Sequence, residues 1–321
     1  TIGNNFRLRV RDAFDSNNFD LTGIIDVPNV VSGISEVEFK WDHSYPLILS
    51  KPQQPVIGVA ADGTARIFLD LHKKNLNSGP QIINVSVSLE DLLNNNDPKK
   101  LGRVKTANQV NNYNLEANGI NTISANDNTP NKNNYLFWYV APDDFAGNDP
   151  SDITSSFRIV NAKFTVNYSD GSIETLIKKI NIVRPPLMLV HGLGGDPDTW
   201  KSFSNSGSLF LSDYRFKVVE AIKIDPKATF LNNAYELLTS HSGSIIKTSF
   251  SGVISKMRDA GYAANRVDCV THSMGGNVVR TALTLNNLYF RTGNHANKPY
   301  KNYEKGYVNK FITIGTPHNG S

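Results

Sequence analysis

The sequence contains a single cysteine, only three methionines and no long apolar run. Cys269 has no second cysteine with which to form a disulfide, and its place inside an apolar stretch indicates a buried structural thiol. Every apolar run is far shorter than the roughly 20 residues that a membrane-spanning helix needs. The sequence therefore predicts a globular chain with neither a disulfide framework nor a transmembrane segment.

The chain also lacks a large excess of charge of either sign. The formal net charge is +4 for 321 residues, and the basic residues are scattered. Proteins that bind nucleic acid normally carry a basic patch, so no nucleic-acid partner is expected. The apolar fraction of 39% is ordinary for a globular protein, and the length suffices for two domains. The pattern of apolar residues changes once along the chain, near residue 184.

Up to residue 184, apolar residues alternate with polar ones in the manner of half-buried strands. The alternation is clearest at residues 37–41, 65–71 and 83–89, and Asp170-Gly171 separates two further alternating runs. An Asp-Gly pair between such runs is a strong signal of a β-hairpin. No long helix is indicated, so residues 1–184 are expected to form an antiparallel β-sandwich that acts as an accessory domain.

Two polar stretches interrupt this region. Residues 93–134 are rich in asparagine, and such a composition favours a long exposed loop. The acidic stretch that follows carries Asp143, Asp144, Asp149 and Asp152, whose carboxylates are of the type that binds calcium. Their spacing matches no known calcium loop, so we expect turn-forming hydrogen bonds rather than a metal site.

Beyond the stiff linker Arg184-Pro185-Pro186, continuous apolar strands alternate with amphipathic helices. The strands are expected at residues 187–190, 216–224, 267–270 and 311–314. Helical spacing connects Ile246, Phe250, Val253 and Met257, and Gly261 marks the end of that helix. Strands that are apolar on both faces are typical of a parallel sheet covered by helices. Residues 185–321 are therefore expected to form an α/β domain whose sheet is separate from those of residues 1–184.

Ser273 lies at the end of one of these strands, in the run THSMGG (271–276), and an apolar helix pattern follows at once. This layout is typical of a nucleophile elbow, a tight strand-to-helix turn that exposes the serine hydroxyl and directs the helix N-terminus at the reacting atoms. The alternative is that Ser273 is an ordinary turn residue and HGLGG (191–195) a glycine-rich turn. A nucleotide-binding P-loop is excluded, because no Gly-Lys-Ser/Thr follows the glycines.

Three motifs in order resemble the lipase and esterase branch of the α/β-hydrolase superfamily. LMLVHGLGG (187–195) resembles its oxyanion-loop strand, THSMGG (271–276) its elbow, and FITIGTPHNGS (311–321) the strand and loop after a cap region in triacylglycerol lipases and GPI inositol-deacylase-like proteins. The resemblance implies that Ser273 is the nucleophile and that Met274 and Leu193 donate backbone N–H groups to an oxyanion. It departs from the family at Thr271, where glycine is commonest.

The first region also has a resemblance of its own, because YLFWYVAPDDF (135–145) is similar to a strand and exit loop of bacterial immunoglobulin-like modules. The complete prediction is thus an immunoglobulin-like β-sandwich over residues 1–184 and the N-terminal part of an α/β-hydrolase domain over residues 185–321.

The family places an Asp or Glu and then a His after the nucleophile, but the tail GTPHNGS (315–321) contains no acid. We therefore expect the α/β-hydrolase domain to be truncated at its C-terminus, and the triad acid and base to come from a C-terminal segment or a second chain. The fragment would then be inactive by itself. Asp225, which follows the strand at 216–224, is left open as a substitute acid.

None of the histidines fits the position of the base. His272 is expected to point away from the nucleophile, and the resemblance gives His191 and His318 the role of shaping loops around the site. The remaining histidines have no motif context; they are His43, His72, His241 and His295.

In this branch a cap covers an acyl pocket between the elbow helix and the last strand. Leu288, Tyr289 and Phe290, with Tyr300 and Tyr303, are therefore candidate substrate contacts; the alternative is an exposed loop with aromatic anchors.

Together, the motifs and the resemblance predict a secreted or envelope-associated bacterial serine esterase or lipase. It would act on an ester or lipid substrate through an acyl-enzyme, without a metal or organic cofactor. Two alternatives stay open: an acyltransferase or amidase of the same fold, and a surface- or polysaccharide-binding protein with a vestigial hydrolase half.

Overall fold

The structure is a computed structural model. It describes residues 33–42, 54–91, 98–106, 122–126, 134–145, 150–203, 213–225, 227–238, 249–292 and 306–319. Several predicted features lie outside these residues, namely those at His43, Asp149, His241, Ile246, His295, Tyr300 and Tyr303.

The first part of the chain is rich in β-strands. Its described elements are β1 (Ser35–Trp41), β2 (Gly58–Ala60), β3 (Arg66–Lys73), β4 (Ile82–Asp91), the helical turn α1 (Pro98–Leu101), β5 (Arg103–Thr106), β6 (Thr122–Asn126), β7 (Asn134–Val140), the helical turn α2 (Pro150–Thr154), β8 (Phe157–Tyr168) and β9 (Ile173–Val183).

The second part of the chain alternates strands with helices. Its described elements are β10 (Leu187–Val190), a 3-10 helix (Pro197–Phe203), β11 (Val219–Ile222), α3 (Phe230–Leu238), α4 (Phe250–Asp259), β12 (Tyr262–Ala263), β13 (Val267–His272), α5 (Met274–Thr292) and β14 (Val308–Ile314).

Two sheets enclose the core of the first part. One is antiparallel with the order β1-β3-β7-β5, and the other has the order β12-β2-β9-β8-β4-β6. The apolar residues of the alternating strands point between the sheets, where the rings of Phe137 and Phe164 meet edge to face at 5.9 Å. The predicted hairpin joins β8 to β9, and Gly171 takes the positive φ of 82° that its turn requires.

The first part differs from its prediction in three respects. The Asn-rich residues 93–134 are not only a loop, because they contain β5 and β6, which pair with β7 and β4. The pairing is not wholly antiparallel, since β2 runs parallel to β9. Finally, the expectation of separate sheets is wrong at one point, because β12 from the second part pairs with β2.

The second part contains a parallel sheet with the strand order β11-β10-β13-β14. All four predicted strands are present. Met188, Val190 and Cys269 face a core that includes side chains of α3, α4 and α5, whereas Leu189 and Val270 face Trp200 on the other side. Both faces of the strands are therefore covered, as their continuous apolar sequences predicted. No described helix combines the length and the apolar character that crossing a membrane would take.

Helix α4 ends before Gly261, as its sequence predicted, and it begins at Phe250. The Ser249 hydroxyl caps its first turn by accepting a hydrogen bond from Gly252 N. At the other end, Gly261 has a φ of 86° and donates its N–H to Arg258 O at 2.8 Å. The chain then turns directly into β12 and on to β13.

The carboxylates of the acidic stretch form ion pairs. Asp143 lies 2.9 Å from Arg103, and Asp144 lies 2.8 Å from Lys310 of β14. Asp152 lies 3.8 Å from Arg158 and 3.9 Å from Lys100. The pair between Asp144 and Lys310 joins the first part of the chain to the second.

A buried carboxylate, Asp62, fastens the two parts together. Its Oδ1 accepts hydrogen bonds within its own loop, from Thr64 N at 2.8 Å and Ala65 N at 2.6 Å. Its Oδ2 accepts hydrogen bonds from Asn265 N at 2.7 Å and Arg266 N at 3.0 Å, in the two residues that precede β13. A fully buried charge is tolerated only where such donors replace water, so the two loops must remain together.

A second set of contacts surrounds the linker. The guanidinium of Arg184 donates to the carbonyl oxygens of Asp152 at 2.6 Å and Ile153 at 3.1 Å, which end α2. It also stacks on the Phe145 ring, 4.1 Å from the ring centroid. Tyr214 from the second part donates its hydroxyl to Thr154 O at 2.9 Å. The linker is thus held by both parts of the chain.

Asp268, the second residue of β13, is a half-buried carboxyl close to this interface. Its Oδ1 accepts hydrogen bonds from Asn309 Nδ2 at 2.9 Å and Lys310 N at 3.1 Å. Burial raises the pKa of Asp268 to about 6, although these bonds and the charge of Lys310 act in the opposite direction. Folding therefore shifts the titration of this residue upward, so that the protonated form predominates only below about pH 6.

We predict that Asp268→Asn makes the protein more stable relative to wild type as the pH rises. The folded-state pKa of about 6 lies above the ordinary value, so the stability linked to the proton is complete below about pH 4 and is lost as the pH rises through about 6. An amide oxygen still accepts both hydrogen bonds. In urea unfolding, the difference in free energy of unfolding between variant and wild type should grow by up to about 3 kcal/mol between pH 4 and pH 7.5.

Asp170→Asn is the matched control, because hydrogen bonds from Ser172 lower the pKa of Asp170. Its difference from wild type should change with pH in the opposite direction. A stability difference for Asp268→Asn that does not vary with pH would contradict the prediction.

Candidate active site

Ser273 is the one residue between β13 and α5, and its backbone is strained. Its φ is 51°, which makes it the only residue other than glycine with a positive φ in the described ranges. For an L-residue this conformation costs about 1–2 kcal/mol. Ser273 N donates to Ile314 O at 2.9 Å, and Ser273 O accepts from Gly276 N at 3.1 Å. These bonds hold the chain in a sharp turn between strand and helix.

The glycines around Ser273 are required by close backbone approach. A Cβ on Gly275 would lie 2.7 Å from Val190 O and closer still to His191 O. A Cβ on Gly192 would lie 2.7 Å from Ser273 Cβ, and one on Gly276 would overlap the side chain of Thr316. The loop after β10, the turn after β13 and the loop after β14 therefore meet at one place.

Thr271 stands where the family most often has glycine, and the structure has room for its side chain and a hydrogen-bond acceptor for its hydroxyl. Its side chain is buried within β13, and its hydroxyl donates to Ile312 O of β14 at 3.3 Å. The β-branched residue thus adds a bond between two strands just before the turn.

Leu193 and Met274 lie on two loops that leave neighbouring strands at the same edge of the sheet. Strands β10 and β13 are paired in parallel, with Val190 opposite Thr271. Met274 is the first residue of α5, so its N–H has no partner within the helix. No backbone carbonyl of the described residues accepts a hydrogen bond from Leu193 N–H. Among the described residues, neither N–H group therefore has a backbone acceptor.

His191 has a structural position, and its two ring nitrogens have different roles. The ring is buried, and Ile224 N donates to Nε2 at 3.2 Å, so Nε2 is the acceptor. Nδ1 must then carry the proton, which it donates to Gly192 O at 2.8 Å. His191 consequently ties the glycine loop to the end of β11 and has no nitrogen left for Ser273.

The other nearby histidines do not bond to Ser273 either. His272 is half-buried beside the Gly192 backbone, and His318 Nε2 lies 3.2 Å from the Thr313 hydroxyl. Asp225 Oδ1 accepts a hydrogen bond from Lys227 N at 2.8 Å and so forms a turn before α3. Within the described residues, no histidine and no carboxylate forms a hydrogen bond with Ser273.

The candidate substrate contacts do not begin a lid loop. Helix α5 continues to Thr292, so Leu288, Tyr289 and Phe290 belong to its last turns rather than to a separate cap segment. Their side chains lie outside the described part of the structure. The sequence did not predict that α5 extends this far, because Leu288, Tyr289 and Phe290 are consecutive apolar residues and do not fit one face of a helix.

Two hydrogen bonds around the site were not anticipated from the sequence. Asn277 and Arg280 of α5 donate side-chain hydrogen bonds to Pro317 O at 3.3 Å and His318 O at 3.4 Å. The exposed side chain of Leu193 lies at the tip of the glycine loop. Nearby, burial raises the pKa of the Cys269 thiol, which therefore remains protonated and unreactive.

Residues 181–321, less than half of the chain, match the family model of the PGAP1-like alpha/beta domain, which is an α/β-hydrolase-type family. No curated protein matches the chain. The family match covers the parallel sheet, the glycine loop and the turn at Ser273. It supports a hydrolase of α/β fold for this region.

Several solved structures resemble parts of the chain weakly. The human F-spondin reeler domain is 10% identical and covers 46% of this chain and 89% of its own, with a TM-score of 0.27. A cohesin module of a Clostridium perfringens family 33 glycoside hydrolase is 11% identical over 47% and 98%, with a TM-score of 0.25. The major pilin subunit BcpA of Bacillus cereus is 9% identical over 50% and 43%, with a TM-score of 0.26. All three TM-scores are below 0.5, so neither fold nor function is inferred from them.

We predict that Gly275→Ala disrupts the candidate site. The new Cβ would collide with two backbone oxygens, so α5 and β10 would have to move apart. We expect the rate at which a fluorophosphonate labels Ser273 to fall at least about 100-fold, since small displacements at a reacting centre have effects of this size. Gly79→Ala is the control, because a Cβ there meets no atom within 4 Å and adds only the strain of a φ of 75°. Equal labelling of wild type and Gly275→Ala would contradict this description of the site.

Proposed function

We propose that this protein is a serine-dependent carboxylic-ester hydrolase in which Ser273 is the nucleophile. The observation that carries the proposal is the positive φ of Ser273 between β13 and α5, beside the glycine loop of the neighbouring strand. Strain of this kind persists where the surrounding structure enforces it, and it clusters at reactive sites. The α/β-hydrolase-type family match agrees with this chemistry.

In the proposed reaction, Ser273 Oγ attacks the ester carbonyl and loses its proton to a general base. The negative charge that develops on the carbonyl oxygen is stabilised by the N–H groups of Leu193 and Met274 and by the N-terminus of α5. The alcohol leaves, and water then hydrolyses the acyl-enzyme on Ser273. None of these steps requires a metal or an organic cofactor.

We propose that the general base and its acid come from outside the described residues. His191 uses both ring nitrogens, and His272 and His318 make no bond to Ser273. A C-terminal segment or a second chain is the source that the motif order favours; His241 and His295 are the alternatives within the chain. The same proposal assigns Leu288, Tyr289 and Phe290 to the wall of an acyl pocket.

The rest of the proposal concerns the setting of the enzyme. Residues 1–184 form an immunoglobulin-like accessory domain, residues 185–321 belong to the catalytic domain, and the protein acts outside the cell or in the envelope. The two-sheet core and the separate parallel sheet support this division, although β12 crosses it.

We predict that, in the protein supplied with the segment or second chain that carries the base, Ser273→Ala abolishes fluorophosphonate labelling and reduces hydrolysis of p-nitrophenyl butyrate to the background rate. Loss of the nucleophile costs about a million-fold in turnover in a complete serine hydrolase. Ser78→Ala, in an exposed turn, is the control and should leave both signals unchanged. Labelling that persists in Ser273→Ala would remove the nucleophile assignment, and absence of labelling in wild type would favour the vestigial alternative.

The same assays separate the remaining possibilities. Because the base is proposed to lie elsewhere, His241→Ala and His295→Ala should not change labelling. Added imidazole should accelerate ester hydrolysis more with wild type than with Ser273→Ala, for which only the reaction of imidazole itself remains. Loss of activity in either histidine variant would place the base within residues 1–321. Faster turnover of amides than esters, or acyl transfer to added alcohols, would favour the amidase or the acyltransferase.

A further inference from the structure

A compact group of metal-ligand side chains lies far along the chain from Ser273. It is on the outer face of the sheet with the order β1-β3-β7-β5. Glu36 and Glu38 alternate on β1, and the register places Glu36 opposite His72 and Glu38 opposite Asp70 of β3. The intervening Val37 and Leu71 point into the core. The four polar side chains therefore share one face.

The ligand atoms of this group are close enough for one ion. One atom each from Glu36, Glu38 and His72 lie within 4.8 Å of one another, and His72 Nε2 is 3.1 Å from Glu36 Oε1. Zinc binds nitrogen and oxygen ligands at about 2.0–2.2 Å, so ligand atoms around one zinc ion are about 3–4 Å apart. The Glu36 side chain is partly exposed and the Glu38 side chain is exposed, so both are free to rotate towards an ion.

Asp70 supplies a second, independent observation. Its side chain is only 3% exposed, and its Oδ1 has no hydrogen-bond partner among the described residues. This atom lies 3.9 Å from His72 Nδ1, whereas Lys40 pairs with the other oxygen, Oδ2. A buried acceptor without a donor is costly. When His72 binds a metal through Nε2, its Nδ1–H can donate a hydrogen bond to Asp70 Oδ1.

The charge of the group also favours a cation. Glu38 and Asp70 are directly opposite each other, and Glu36 is two residues along the same face. Like charges directly opposite on neighbouring strands are destabilising. Lys40 offsets one of the three carboxylates through Asp70, which leaves the two glutamates beside the imidazole of His72.

We propose that Glu36, Glu38 and His72 bind one divalent transition-metal ion of the zinc class, with Asp70 as the residue that orients His72. Imidazole selects zinc-class ions over magnesium, and the carboxylates supply the compensating charge. The ion joins β1, which has a partner on only one side among the described strands, to β3. It thereby stabilises the first part of the chain, independently of any chemistry at Ser273.

The test is a titration of the metal-free full chain with zinc chloride against a chromogenic chelator, together with the thermal midpoint with and without zinc. Wild type should bind one equivalent more than His72→Gln and should melt at a higher temperature when zinc is present. Asp70→Asn should weaken the binding of that equivalent by about 10–100-fold, which is the usual effect of losing such a partner. Magnesium chloride should have no effect on either measurement.

Glu90→Gln is the matched control, because Glu90 is a strand glutamate whose partner, at 3.6 Å, is Lys163. It should bind zinc as wild type does. The same stoichiometry in His72→Gln and wild type, or no zinc-dependent rise of the thermal midpoint in wild type, would overturn the site. Unchanged affinity in Asp70→Asn would overturn the orienting role of Asp70.

Discussion

The backbone conformation of Ser273 is the constraint on which the candidate site depends. An L-residue with a φ of 51° persists only where neighbouring structure enforces it, and here Ser273 is held by hydrogen bonds with Ile314 O of β14 and Gly276 N, next to the pairing of β10 with β13. That pairing brings the carbonyl oxygens of Val190 and His191 against Gly275, where no side chain fits. The strained turn, the glycine loop and the N-terminus of α5 are thus held together by the three neighbouring parallel strands β10, β13 and β14.

The first part of the chain is hydrogen-bonded to the start of β13, at the opposite end of that strand from Ser273. Asp62 binds the backbone just before β13, whereas Ser273 follows its last residue. Six residues of strand span about 20 Å, so Asp62 cannot touch a substrate at Ser273. These interface contacts therefore support the sheet rather than take part in chemistry. The proposed metal would act in the same sense, by fixing an edge strand of the supporting region.

Features encoded by local pattern were predictable from the sequence, and those that depend on distant pairing were not. The strand at 187–190, the hairpin at Asp170-Gly171 and the strand before Ser273 follow from periodicity and turn chemistry. The pairing of β12 with β2 involves two residues and has no periodic signal. The proximity of Glu36 and His72 depends on the register between β1 and β3, whose residues are far apart in sequence. The hydrogen bond from Ile224 N to His191 likewise forms only because the folded sheet brings β10 and β11 together. The motif around Ser273 was visible because the glycines that it needs are close in sequence.

The most direct test of the account is a crystal structure of the protein after reaction with a phosphonate ester. The account predicts a covalent bond from phosphorus to Ser273 Oγ, with the phosphonyl oxygen about 3 Å from both Leu193 N and Met274 N. A phosphonate attached to another residue, or an oxygen that faces away from both N–H groups, would contradict it.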